Sequence, residues 1–124
     1  MKQPSPWEAA ADVQSRAFCP RFHHAVELIG RRWTGVIVRV LLQGPRRFSE
    51  LAAAVPGLSE RLLAQRLREL EAEGLVVRRV LPGPPVGVEY ELTRAGHELE
   101  TVVTAVAAWA HRWGPPDEGG GEGC

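Results

Sequence analysis

The sequence predicts a mainly α fold that carries one small β-hairpin. Apolar residues recur at helical spacing through most of the 124 residues, with cap and breaker residues between the runs. The period changes after Gly74, where Leu75–Leu81 is rich in β-branched residues and Val88–Leu92 alternates apolar with acidic. Between these two runs lies Pro82–Gly87, PGPPVG, in which neither helix nor strand persists. Two strands around such a loop make a hairpin, and its length lets the tip project.

Each element follows from local residues. Ser5-Pro6-Trp7-Glu8 matches a capping box with proline at the first helical position, which opens a helix over Pro6–Phe18. Its apolar side is Trp7, Ala10, Val13 and Ala17, and Cys19-Pro20 breaks it. A helix over Arg21–Gly30 turns Phe22, Ala25, Val26 and Ile29 inward. The next, Trp33–Gln43, presents Trp33, Val36, Ile37, Val40 and Leu41; its β-branched content also suits a buried strand, but the cap-like Gly44-Pro45 favours the helix. Arg46-Arg47-Phe48 is a short extended piece before a short helix over Ser49–Ala54. That helix stops at Val55-Pro56-Gly57-Leu58, because proline lacks an amide hydrogen and glycine favours irregular backbone. Ser59 then caps a helix that runs without a breaker to Gly74. Thr93 caps the last helix, Arg94–Trp113, with a stripe of Ala95, Leu99, Val102, Val106, Trp109 and Trp113. The sequence thus divides into residues 1–18 (tail and first helix), 19–113, and an acidic, glycine-rich remainder, 114–124, that reads as disordered.

The helix after Ser59 carries the clearest chemistry. Leu63, Leu67 and Leu70 share one narrow face, a core stripe. Arg61, Gln65 and Arg68 lie roughly opposite, and guanidinium and amide groups can make paired hydrogen bonds to guanine and adenine edges in a major groove. A merely solvated face is the bland alternative. The zero net charge hides an asymmetry: residues 31–79 hold ten arginines against five glutamates, and residues 80–124 two arginines against seven acids. A basic middle remains compatible with nucleic acid.

Other classes find little support. No apolar run reaches the length of a membrane span, and the start, MKQPSPWEAAADVQS, lacks the apolar core of a signal peptide, so a cytoplasmic location is expected. His23, His24, His97 and His111 form no metal signature, even with Cys19 one turn before His23. Neither Gly-x-Ser-x-Gly nor HExxH occurs, so nothing suggests an enzyme, and no residue pattern asks for a cofactor.

Cys19-Pro20, Ile29-Gly30-Arg31-Arg32-Trp33-Thr34 and Gly44-Pro45-Arg46-Arg47-Phe48-Ser49-Glu50-Leu51 occur in that order. They are followed by Leu63–Gly74, Val88-Glu89-Tyr90-Glu91-Leu92-Thr93 and Gly96. Over about residues 19–113 this resembles the HxlR family of bacterial transcription regulators. The resemblance implies a winged helix-turn-helix in each subunit of a homodimer, and double-stranded DNA as partner, with a near-palindromic operator. It makes Ser59–Glu73 the recognition helix, with Arg61, Gln65 and Arg68 toward bases and Ser59 and Arg66 toward phosphate or the helix end. Arg78, Arg79 and the loop around Gly83 would be wing contacts, and Arg46 and Arg47 would grip the backbone. The terminal helices would form the dimer interface, through Trp7, Val13, Val102, Val106, Trp109 and Trp113. Small reactive metabolites or oxidants often serve as signals in this family, and Cys19 matches its cysteine near the N-terminus.

For Cys19 two readings stand. Arg16 and Arg21 flank it, a charge setting that activates thiols, yet free cysteines are commonly buried and inert. Two functions stand as well: a sequence-specific repressor or activator, or a winged-helix module for protein contacts whose arginine face is solvated.

Overall fold

The computed structural model of the chain describes residues 18–116. Of the helix expected over residues 6–18, only Phe18 is described, and it is not helical; Trp7, Val13 and the tail beyond residue 116, with Cys124, lie outside the described residues. The chain divides into two compact units, split between Gly35 and Val36.

In the first unit, α1 runs Pro20–Ile29 with Pro20 in its first turn and Cys19 at its N-cap, and it ends at Gly30 as expected. Its buried side is not where the sequence put it. Phe22 and Val26 are 55% and 52% exposed and Ala25 is also exposed, whereas Leu28 is buried. Periodicity located the apolar stripe correctly but could not say that nothing within the described residues covers it. The turn that follows places Trp33 at φ 76, in the left-handed region, and so α2 starts one residue later than expected, at Thr34–Leu42. The Arg32 guanidinium lies 5.3 Å from the Trp33 ring centroid.

In the second unit, α2 contributes Ile37, Val38 and Leu41 to the core, while Val36 is 44% exposed, so the helix is turned from the expected Val36–Val40 side. The extended piece Arg46–Arg47 is a strand, β1, followed by α3 (Phe48–Ala54), α4 (Glu60–Ala72) and the hairpin strands β2 (Val76–Leu81) and β3 (Gly87–Leu92). The sheet is antiparallel in the order β1-β3-β2. Arg46 pairs with Tyr90 and Arg47 with Glu89, and β2 pairs from Val76 with Leu92 to Leu81 with Gly87. The core gathers Leu51 from α3, Val55 and Leu58 from the break, Leu63, Leu67 and Leu70 from α4, and Val76, Tyr90 and Leu92 from the sheet.

The breaks have the chemistry their residues imply. Gly57 at φ 91 turns the chain between α3 and α4, and the Leu58 amide donates to the Val55 carbonyl at 3.3 Å. Gly74, at φ 76 just past α4, lets the Leu75 amide reach back to the Leu70 carbonyl at 2.9 Å.

The last helix is not continuous. A four-residue helix, α5 (Arg94–His97), capped by the Thr93 hydroxyl, is separated by Glu98-Leu99 from α6 (Glu100–Trp113). The Leu99 amide donates to the Gly96 carbonyl, a tight three-residue turn that redirects the chain. Val103 is therefore the buried residue of α6, and Val102, Val106, Trp109 and Trp113 of the expected stripe are exposed.

Gly96 explains why α5 is so close to the sheet. A Cβ there would lie 2.2 Å from the Leu75 carbonyl oxygen and 2.9 Å from Leu92 Cδ2. Neither neighbour is free to yield, since one is backbone and the other is core. Gly96→Ala is expected to cost about 1–3 kcal/mol of stability and to lower the melting temperature by roughly 5–15 °C in a thermal unfolding scan.

Candidate nucleic-acid interface

The site is built on α4. The Ser59 hydroxyl accepts from the Leu62 amide at 3.1 Å and so starts the helix at the expected residue. Leu63, Leu67 and Leu70 are 0–1% exposed, and at 3.6 residues per turn this leaves Arg61, Gln65 and Arg68 on the solvent side. From 61 to 68 the helix rises about 10 Å, the length of roughly three base steps.

Hydrogen bonds within the helix modify the predicted set. Gln65 Nε2 sits 3.5 Å from Glu69 Oε2, a weak hydrogen bond that leaves the amide able to turn outward. Arg66 is differently placed: its Nη1 holds both Glu69 carboxylate oxygens, at 3.1 and 3.2 Å, and its side chain is only 14% exposed. It is set back from the Arg61–Gln65–Arg68 side and its charge is met within the helix. Ser59 is exposed, but its hydroxyl oxygen already serves as the cap.

The sheet distributes the remaining arginines. Arg78 and Arg79 are both exposed, but as successive strand residues they point to opposite faces of the ribbon. Arg79 is ion-paired with Glu91 and lies across from Glu89 in the register. Arg46 donates from Nη1 to the Pro45 carbonyl at 2.9 Å and from Nη2 to Gln43 Oε1 at 3.4 Å. The Arg47 amide donates to Glu50 Oε1 at 2.7 Å, which fixes the entry to α3. Its guanidinium lies over Gly87, where a Cβ would come 2.8 Å from Nη1.

Between Arg47, Ser49 and the hairpin tip is an open cleft of about 560 Å³. Its residues Ser49, Pro85, Val86 and Gly87 were not singled out from the sequence as site residues. The signal for Pro85, Val86 and Gly87 was the stretch from Val80 to Val88, nine residues without a charge or a polar side chain.

Cys19 is half-buried at the N-cap of α1, and its side chain makes no cap hydrogen bond. Among the described residues no three His, Cys, Asp or Glu side chains are grouped to hold a metal ion, and no helix is long and apolar enough to cross a membrane.

The fold is shared with known proteins. A family model described as HxlR-like helix-turn-helix matches residues 28–118. The chain is 48% identical over 98 residues to a Bacillus subtilis (strain 168) protein named uncharacterized HTH-type transcriptional regulator YvaP, covering 79% of this chain and 91% of the relative. It is 43% identical over 100 residues to the HTH-type transcriptional regulator YodB of the same organism, covering 81% and 89%. The solved reduced form of B. subtilis YodB matches with a TM-score of 0.72 at 42% identity, covering 82% of this chain and 99% of that one. A quinone-bound YodB structure matches with a TM-score of 0.69 at 41% identity, covering 77% and 100%. With an outward arginine–glutamine face on the second helix of a helix-turn-helix and a wing beside it, the chain belongs to the HxlR-like helix-turn-helix family of DNA-binding transcriptional regulators, and it is not an enzyme.

Proposed function

We propose that this regulator acts as a homodimer, reads a near-palindromic duplex operator through α4, and responds to an oxidant or electrophile at Cys19. The observation that carries the DNA reading is the solvent-facing Arg61, Gln65 and Arg68 opposite the buried Leu63, Leu67 and Leu70. Base-edge contacts would come from those three side chains. Phosphate contacts from Arg46, Arg47, Arg78 and Arg79 would supply sequence-independent affinity, with Arg79 discounted for its pairing with Glu91.

Dimerisation is supported by α6. Val102, Val106, Trp109 and Trp113 follow one another at intervals of four, three and four residues, and all are exposed, the two tryptophans by 65% and 66%. A soluble chain rarely leaves such a stripe bare, and a second copy covers it most simply across a two-fold axis. Trp7 and Val13 are proposed to join the same interface. A two-fold pair of α4 helices then reads half-sites about 34–36 Å apart. DNA selected from a random duplex pool by the purified protein should yield an inverted repeat with that spacing or a multiple of it. Selection of no sequence at all would overturn the reading in favour of a protein-contact module.

The Cys19 reading is supported by its half-exposed position at a helix start and by the quinone-bound state of YodB. The Cys19 thiolate adds to a ring carbon of a quinone, forming one S–C bond as the ring C=C π pair shifts to a carbonyl oxygen that solvent then protonates; the quinone is itself reduced to the thioether-substituted hydroquinone, so no further oxidant is needed. Treatment with a quinone is expected to change operator affinity of the wild type at least tenfold and to leave Cys19→Ser unaffected, as followed by gel shift with mass spectrometry of the adduct. If Cys19 resists alkylation until the protein is denatured, the sensor role fails.

A further inference from the structure

Cys19 stands at the head of a row of three side chains along α1, followed by His23 and Glu27. Residues four apart on a helix are neighbours, and each side chain leans toward the helix start, over the turn before its own. Glu27 thus leans over His23, and His23 over the turn that holds Cys19. Two contacts agree with this. His23 Nε2 lies 2.7 Å from Glu27 Oε1. The imidazole also meets the ring of Phe18, the residue before Cys19, with centroids 5.9 Å apart and planes tilted by 39°. The backbone closes the same turn, the His23 amide donating to the Cys19 carbonyl at 2.9 Å.

A carboxylate only accepts hydrogen bonds, so the contact with Glu27 puts the proton of a neutral imidazole on Nε2 and leaves a lone pair on Nδ1. Among the described residues Nδ1 has no hydrogen-bond partner, and neither has the half-buried Cys19 side chain. The His23 and Glu27 side chains are 60% and 66% exposed, and a pair so open to water adds little to stability. A nucleophile, a base one turn away and a carboxylate that orients the base form a recognisable chemical unit. We propose that His23, held in position by Glu27, is the proton acceptor for the Cys19 thiol. The inference rests on the Cys19 sensor reading and supplies what that reading needs at neutral pH, because the thiolate and not the thiol is the nucleophile. The unbonded Cys19 side chain turns about χ1 toward Nδ1, a contact of the kind that tightens only when the reactant is bound. Nδ1 takes the Sγ proton as sulfur attacks the quinone ring carbon. The imidazolium, its charge offset by Glu27, then releases that proton to solvent. Solvent protonates the quinone oxygen, so His23 ends the step as it began.

The test follows the reaction of the full chain with para-benzoquinone at neutral pH, by mass spectrometry of the Cys19 peptide over time. His23→Ala should slow the modification about tenfold, less than an enclosed general base would contribute because this one is open to solvent. Added imidazole should restore much of the rate, since it replaces a proton acceptor but not a packing contact. Glu27→Ala should slow the reaction about threefold, and Glu27→Gln, whose amide oxygen still accepts from Nε2, should recover most of that. His24→Ala, a step of about 100° further around the helix, should react as the wild type does. All three positions are exposed, so the core is untouched in every variant. If His23→Ala reacts at the wild-type rate, stays slow when imidazole is added, or is matched by His24→Ala, the inference is overturned while the sensor reading stands. If Cys19 of the folded wild type is not modified at all, the sensor reading falls and takes this one with it.

Discussion

Arg68→Ala is expected to lower the ratio of operator affinity to scrambled-duplex affinity by about 1–3 kcal/mol per half-site. In a dimer on two half-sites the effects accumulate to roughly thirtyfold at the least. The side chain is exposed and lies opposite the core face of α4, so its removal leaves the leucine packing intact. Gln65→Ala should act in the same way at a different base position, because its hydrogen bond to Glu69 is long and easily exchanged for a base edge. Leu67→Ala is the contrasting case. Its side chain is 1% exposed, so truncation should cost about 2–5 kcal/mol of stability through lost burial and a cavity. Such a variant should bind less only in proportion to the folded protein lost, with its base preference unchanged. Titrations of operator and scrambled duplex at several salt concentrations, alongside urea unfolding, separate the two. An unchanged ratio in the Arg68→Ala and Gln65→Ala variants would show that α4 does not read bases.

Trp109→Ala is expected to weaken the dimer by about 2–4 kcal/mol, a rise of roughly 30- to 1,000-fold in the dissociation constant. The monomer should keep its fold, because Trp109 is 65% exposed and Val103, not Trp109, anchors α6 to the core. Sedimentation equilibrium should show a monomer at concentrations where the wild type is paired, and the thermal transition extrapolated to the monomer should be little changed. Operator binding should fall with dimerisation, since a single α4 helix reads one half-site. A wild type that sediments as a monomer at high concentration would remove the basis for this interface.

Some of this could be read before any coordinates. Within one helix the angle between side chains is set by the backbone, so the spacing of Leu63, Leu67 and Leu70 was enough to put Arg61, Gln65 and Arg68 on the far side. Caps and breaks are equally local, and Ser59, Gly57 and Gly74 do what their own chemistry dictates. The hairpin followed from a change of period around PGPPVG.

What depended on remote neighbours could not be read that way. A helical stripe does not say what covers it, so Phe22 and Val26, expected inward, are exposed, and Val103, which lies outside the expected Val102–Trp113 stripe, is the buried residue of α6. The break at Glu98-Leu99 is set where Gly96 meets the Leu75 carbonyl, a contact across the fold. Arg66 and Arg68 look alike as letters, but only Arg66 is turned to Glu69 and partly buried. Arg47 gains its place from Gly87, forty residues further along, because strand pairing brings β1 and β3 together. Periodicity determines the faces of an element. Only packing decides which face is covered and which charge is left exposed.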